Sequence, residues 1–265
     1  VNRRTFLGII GTAVAAASGI PALAEEIDDN ACRAFIAKGK GVRSEIVVDG
    51  AALAALSALA QRIRRTRRIV GYGRFNLLGF DEMNWIGRNY SRVGPFTKAE
   101  QELFESLFYR NASDYGFYGE KVFTSVTHNI NKNDIVKVPR TGHYLYRSAA
   151  LEMYEKIRRE VGESIVLTSG VRSVVKQMDL FLQKVIRSRG NMSVAARSLA
   201  PAGYSFHGVG DFDVGKAGFG HGNFTDAFAK TDEFKRLVDS GYVRIRYTRD
   251  NPYGVRYEPW HIKVV

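Results

Sequence analysis

A proline set between a carboxylate and an imidazole constrains this chain more than any other feature. It lies in the C-terminal run Gly254-Val255-Arg256-Tyr257-Glu258-Pro259-Trp260-His261-Ile262-Lys263-Val264-Val265. Side chains alternate faces along an uninterrupted strand, so Glu258 and His261, three positions apart, would point away from each other. Pro259 has no N–H to give to a ladder and is tolerated at an edge, a strand end or a bulge. The run therefore reads as a broken strand, and a break at Pro259 would turn both groups toward one site.

A second stretch gives that pairing a context: Ser205-Phe206-His207-Gly208-Val209-Gly210-Asp211-Phe212-Asp213-Val214. If Val209 to Val214 is a strand, Asp211 and Asp213 share a face by its period of two, with His207 at its mouth. The two stretches together hold two histidines, two aspartates and a glutamate, the residue types from which a catalytic zinc and its base are built. On spacing alone the same run also fits a solvated turn. Of the other histidines, His128 and His143 read as surface or structural residues, and His221 as loop surface with a substrate contact as the alternative.

The N-terminus carries its own address. Asn2-Arg3-Arg4-Thr5-Phe6-Leu7 is followed by an apolar Gly/Ala-rich segment and a small-x-small cleavage pattern at Ala22-Leu23-Ala24. Residues 1–24 are expected to be a signal peptide of the twin-arginine type, which places the mature protein in the periplasm or otherwise outside the cytoplasm. The alternative is an ordinary secretory signal with a basic start. Cys32 is the single cysteine, so an internal disulfide and a cysteine-rich metal site are excluded. The net charge of +12 suits any polyanion, cell-wall polymers and membrane surfaces included. Basic residues are scattered apart from the Arg62–Arg68 run, and no nucleic-acid partner and no stable membrane span are expected.

Along the chain, Ala51 to Ile63 reads as a helix with Asp49 as its cap. Residues 69–95, where glycines interleave with aromatics, read as loop or short strand. Thr97-Lys98-Ala99-Glu100 is a capping box opening a helix. Residues 111–143 read as irregular. A helix with Leu151, Tyr154, Ile157 and Val161 on its apolar face should stop at Gly162. A strand at Ser164–Thr168 precedes a helix at Val174–Arg187. Phe224–Ser240 should be helical, with Thr231 capping its second part, and Tyr242–Tyr247 should be a strand. The expected class is α+β, a small antiparallel sheet with flanking helices carrying the metal site (residues 141–265), preceded by a mainly helical N-terminal lobe (25–140).

The Ser205-x-His207-x-x-Gly210 motif followed by an aspartate, the Glu258-Pro259-Trp260-His261 motif, and Ser169-Gly170-x-Arg172-Ser173 with Gln177 upstream together resemble the VanY-type D-alanyl-D-alanine carboxypeptidases. These are zinc peptidases of bacterial peptidoglycan, and the resemblance covers about residues 141–265. It implies zinc held by His207, Asp213 and His261, Glu258 as general base and Arg172 facing the developing oxyanion. It further implies a peptidoglycan stem peptide as substrate, with Gln177, Ser205 and Trp260 as candidate contacts. For Arg172 the alternative is a structural ion pair with Glu258 or Asp213. One departure stands out. The family pattern puts the aspartate seven positions after the histidine, whereas Asp213 is six after His207. Asp211 therefore remains a second candidate, as ligand or as a brace behind one. Within the enzyme class an L,D-carboxypeptidase or a cross-link endopeptidase fits the same motifs, and outside it a non-catalytic peptidoglycan-binding protein does. The oligomeric state is not legible in the sequence.

Overall fold

The computed structural model describes residues 45–265. The expected signal peptide, Cys32 and most of the leader before the first helix lie outside the described residues. The architecture is α+β, as expected. A helical N-terminal region adjoins small antiparallel sheets, and two apolar cores lie side by side.

Helix α1 (Gly50–Val70) buries Leu56, Leu59 and Ile63 on one face. Asp49 occupies its N-cap position in extended backbone, yet its side chain makes no capping hydrogen bond. Residues 69–95 depart from expectation. They hold a short helix α2 (Tyr72–Phe75) and a full helix α3 (Phe80–Asn89) in place of loop or strand. Phe80, Met83 and Ile86 are buried at helical spacing, and interleaved glycines had masked that period. Helix α4 (Lys98–Tyr109) opens on the expected capping box, with Thr97 Oγ1 accepting from Glu100 N at 3.1 Å and Glu100 Oε2 accepting from Thr97 N at 2.8 Å. Glu100 is also ion-paired with Arg62 of α1 at 2.7 Å, so one side chain caps α4 and fastens it to α1.

The stretch read as irregular contains strand β1 (Ile135–Lys137), which pairs antiparallel with β2 (Tyr144–Tyr146). Helix α5 (Ala149–Val161) buries Tyr154, Ile157 and Val161 and stops at Gly162. Strand β3 (Ile165–Ser169) leads through a turn into α6 (Val174–Arg187), capped by the Ser173 hydroxyl. A short helix α7 (Met192–Ala196) follows. Both α6 and α7 pack into the core built by the N-terminal helices, while α5 and the larger sheet share the other core.

That sheet has the order β3-β4-β5, all antiparallel, with β4 at Phe212–Lys216 and β5 at His261–Ile262. Strand β4 starts later than the sequence suggested. A 3₁₀ turn at Phe206–Gly208 continues past Gly210, and the N–H groups of Gly210 and Asp211 both donate to Phe206 O at 3.1 Å. Asp211 thus sits just ahead of the strand. The expected Tyr242–Tyr247 strand runs beside β5 but forms a single bridge, Ile245 to Ile262. The expected helix from Phe224 is α only at α8 (Asp232–Asp239), capped by Thr231. Ahead of it the chain makes 3₁₀ turns at Gly220–Phe224 and Phe228–Lys230. Asn223 closes the first of them on β4 through Lys216 N (2.7 Å) and Lys216 O (3.0 Å). Among the described residues no helix is long and apolar enough to cross a membrane.

Replacing Thr97 with Ala removes the acceptor for the Glu100 N–H while leaving the Arg62 ion pair in place. Stability should fall by ~1 kcal/mol, the usual value of an N-cap, read as a shift of the urea midpoint at constant slope. No shift would mean that packing alone sets the start of α4.

Candidate metal centre

The register of the larger sheet builds the site. Ser169 of β3 lies opposite Asp213 of β4, and Asp213 lies opposite His261 of β5. Alternation along β4 sends Phe212 and Val214 into the apolar core, leaving Asp213 on the opposite face. His207 arrives from the 3₁₀ turn before β4. Its ring stands nearly perpendicular to that of His261, centroids 4.8 Å apart at 81°.

Three atoms converge there. Asp213 Oδ1 lies 3.2 Å from His207 Nε2 and 3.3 Å from His261 Nδ1. Neither His207 Nε2 nor Asp213 Oδ1 has a partner of hydrogen-bond geometry, though both are buried. Atoms so close that do not bond each other are aimed at a common point. An ion with ~2.0–2.1 Å bonds in tetrahedral coordination separates its ligands by roughly 3.3 Å, which matches the separation of Asp213 Oδ1 from each imidazole nitrogen. Burial of all three residues and a mutual separation under 4.8 Å complete a His-Asp-His candidate metal site.

The supporting contacts choose which atom of each residue faces that point. The Gly170 carbonyl lies 2.9 Å from His207 Nδ1, which puts the proton on Nδ1 and leaves Nε2 as the lone pair. Gly170 itself must be glycine, because a Cβ there would lie 2.0 Å from the Tyr144 carbonyl oxygen. Asp211 Oδ2 accepts from His261 Nε2 at 3.0 Å, leaving Nδ1 as the lone pair of that ring. The other Asp213 oxygen, Oδ2, accepts from Arg172 Nη2 at 2.6 Å. Asp211 and Asp213 thus address opposite nitrogens of one imidazole, and only Asp213 belongs to the converging set.

Asp211 is the most heavily bonded carboxylate of the site. It accepts from the Arg246 guanidinium, from His261 and from Val264 N at 2.9 Å. Arg246 is itself buried, stacked over Phe206 at 3.6 Å. The turn that brings Asp211 there passes through Gly210 at φ 144°, a conformation open mainly to glycine.

Glu258 and His261 meet as the Pro259 break requires. Pro259 and Trp260 are the central residues of a turn closed by His261 N to Glu258 O at 3.1 Å. Glu258 Oε2 then sits 3.7 Å from His261 Nδ1. The continuous part of the predicted broken strand shrinks to the two residues of β5, because the backbone before Pro259 bonds elsewhere, Glu258 N going to Tyr247 O.

Electrostatics follow from burial and these contacts. Burial pushes the Glu258 carboxyl up to about 7, with Asp213 adding to the rise against His261, Arg256 and Arg172. Burial alone would raise Asp211 and Asp213. The imidazoles, with Arg246 for the former and Arg172 for the latter, overcome it and hold both carboxyls well below the usual carboxylate range. Burial lowers His207 to about 4, helped by Arg172. Against burial, the hydrogen bond to Asp211 and the adjacent Asp213 carboxylate raise His261 to about 9. The charge that draws a proton onto His261 draws a metal cation equally well. The donor set of two imidazoles and a carboxylate fits zinc with one position left open.

A cleft of about 740 Å³ opens over these residues. Arg172 lines it, with Nε donating to Ser169 Oγ at 2.9 Å. Ser205, Gln177 and Trp260 line it too, although Gln177 Nε2 is spent on Ala200 O at 2.6 Å and Trp260 is mostly packed in the core. Sequence reasoning missed Tyr72, Lys176, Tyr247 and Arg246 and read His143 as structural, though it lines the cleft; His221, read as loop surface with a substrate contact as the alternative, lines it too. No local pattern marks any of these residues, since distant packing brings them in.

Residues 143–265 match the family model described as VanY, D-alanyl-D-alanine carboxypeptidase. This part of the chain belongs to the VanY family. No curated protein matches the chain. Among solved structures it is similar to the LdcB LD-carboxypeptidase, at 26% identity over 52% of this chain and 70% of that one, with a TM-score of 0.42. It is also similar to VanYB in complex with D-alanine-D-alanine, at 21% identity over 54% and 81% of the two chains, TM-score 0.40. A mutant of the vancomycin-resistance D,D-pentapeptidase VanY in complex with Zn(II) matches at 21% identity over 49% and 78%, TM-score 0.38. The VanY region contains all three converging residues, Glu258 and Arg172, while Tyr72 lies before it.

Asp213→Ala should leave the site without zinc at micromolar metal, because it removes a donor. Asp211→Ala should weaken zinc by only ~10- to 100-fold, the loss typical of a residue that orients a ligand. Zinc titration of both variants, with circular dichroism to verify folding, reads the difference. The reverse order would make Asp211 the donor.

Proposed function

We propose that the chain is a zinc-dependent peptidase of peptidoglycan stem peptides, most simply a D-alanyl-D-alanine carboxypeptidase working outside the cytoplasm. The observation that carries this reading is Glu258, a buried carboxylate outside the His-Asp-His set but 3.7 Å from one of its donors. A protein that only binds peptide has no use for a base there. Membership of residues 143–265 in the VanY family supports the substrate class, and the expected export signal supports the compartment.

His207 Nε2, Asp213 Oδ1 and His261 Nδ1 would hold the zinc. Bound there, zinc supplies Lewis acidity that polarises a carbonyl and makes water a nucleophile near neutral pH. The remaining work falls to the chain's own groups. Hydrolysis adds water across the scissile C–N bond. Glu258 accepts the proton that water gives up as it attacks the carbonyl carbon, then returns it to the departing amine. Arg172, fixed by Ser169 and Asp213, supplies positive charge beside the oxygen on which negative charge grows, a contribution typically worth ~3 kcal/mol or more.

Glu258→Gln should retain zinc and lose turnover by ~100-fold or more, since it removes a proton acceptor and not a donor to the metal. The assay is digestion of a muropeptide pool followed by mass analysis. Loss of one alanine from pentapeptide stems is expected with the unmutated protein, abolished by chelation and restored by zinc. Cleavage confined to tetrapeptide stems would reassign the bond as L,D, and cleavage confined to cross-links would make the protein an endopeptidase. An intact pool after incubation with the zinc-loaded protein would contradict the reading.

Arg172→Lys keeps the charge but loses the fork that spans Ser169 and Asp213. It should lower kcat more than it raises KM. An unchanged kcat would leave Arg172 with a structural role alone.

A further inference from the structure

Lys176 is a cation in a place that folding alone does not favour. It stands in the first turn of α6, where the helix dipole repels positive charge. It is 6% exposed, and among the described residues its Nζ has no hydrogen bond or ion pair. Its Nζ lies over the rings of Tyr72 and Phe75, 5.5 and 5.6 Å from their centroids. The attractive charge close by, Asp179, is already paired with Arg67 at 3.4 Å, and Arg172 adds repulsion. A buried ammonium without a counter-charge is expensive. Lys176 nevertheless lines the cleft that holds the metal site.

Two neighbours complete a polar corner there. The Tyr72 hydroxyl lies 3.0 Å from His143 Nε2, and both residues line the same cleft. Burial, with Arg172 and Lys176 close by, lowers His143 to about 4, so the imidazole braces Tyr72 as a neutral group. His143 precedes Tyr144, whose carbonyl accepts from Val171 N at 2.8 Å, and the next residue, Arg172, donates its N–H to His207 O at 3.3 Å, so this corner adjoins the turn that backs a metal donor. The acidic residues lining the cleft, Asp213 and Glu258, both belong to the metal centre, whereas the other charged lining residues besides the histidines are Arg172, Lys176, Lys184, Arg187 and Arg256. The ligand for the free corner is therefore an anion.

We propose that Lys176 and the His143-braced hydroxyl of Tyr72 form the subsite that binds the terminal carboxylate of the peptide substrate. This rests on the peptidase reading above. A terminal carboxylate lies one residue beyond the scissile carbonyl, a span of at most ~3.6 Å, so its receptor must stand beside the metal. Lys176 contributes the charge, and Tyr72 reaches in from α2, ahead of the VanY region. The N-terminal helices thereby close one end of the cleft, and the subsite selects chain ends over internal bonds.

The test uses zinc-loaded protein carrying Glu258→Gln, so that ligand is not consumed, and calorimetry with a stem pentapeptide as free acid and as C-terminal amide. The acid should bind more tightly than the amide. Adding Lys176→Met should weaken the acid by about 10- to 100-fold, the range of a charge-assisted hydrogen bond, and leave the amide unchanged. Lys176→Arg should restore part of the loss, and Tyr72→Phe should cost the acid a few-fold. Because Lys176→Met removes an unpaired buried charge, its Tm should not fall below that of its parent. Equal losses for acid and amide, or no loss, would overturn the subsite. So would a Lys176→Met effect that persists with the amide and disappears when the glutamate carboxylate of the stem is amidated, because the recognised group would then be a side chain. If the pentapeptide binds in neither form, the stem-peptide reading fails and N-acetyl-D-alanine reads the subsite by itself. Weaker binding of that probe by Lys176→Met supports the subsite, and no binding or no change overturns it.

Discussion

The buried carboxylate of Asp211 ties the C-terminal strand to the rest of the domain. It receives the Arg246 guanidinium, the His261 imidazole and the Val264 N–H, so one side chain pins two other segments, at 246 and 261–264, to its own. The arrangement has a thermodynamic edge. A buried ion pair is no great source of stability, but stripping one partner from it typically costs ~3–5 kcal/mol, because the other charge is left uncompensated. Asp211 and Arg246 must therefore come together for β5 to dock, and docking sets the register that opposes His261 to Asp213. The same contact that closes the sheet fixes the tautomer of a candidate metal donor.

From that register the chemistry divides cleanly among a few carboxylates. Asp211 holds an imidazole from behind and Asp213 offers one oxygen to the converging donors while Arg172 occupies the other. Glu258, on the Pro259 turn, stands outside the set and is the only one of the three that burial carries up to near neutrality. Environment alone separates the three roles, since the side chains are near-equivalent chemically.

Much of this was legible in the sequence because it is local. The capping box at Thr97, the apolar face of α5, the limits of α6 and the consequence of Pro259 each depend on residues a few positions apart. The converging residues were also nameable, since two of the three ordered motifs carry them. What escaped depends on distant packing. Residues 72–89 fold as helices because Phe80, Met83 and Ile86 find a core, a preference that their glycine-rich neighbours conceal. The Phe206 turn shifts the start of β4 past Asp211, and no pattern announces a carbonyl that collects three N–H groups. Arg246 and Tyr72 reach the site from segments with no motif of their own, and Lys176 from a position that the motif between Arg172 and Gln177 leaves open. Their contribution is visible only once the N-terminal helices and α6 share a core.

The central claim is that a metal sits between His207, Asp213 and His261 with Asp211 behind it. A crystal structure of the zinc-loaded protein, with anomalous data across the zinc edge, tests this most directly. The account predicts one strong peak bonded by His207 Nε2, His261 Nδ1 and an Asp213 oxygen at ~2.0–2.2 Å, with Asp211 still on His261 Nε2 and Glu258 unbonded. A peak ligated by Asp211 or Glu258, or lying away from this triangle, would contradict it.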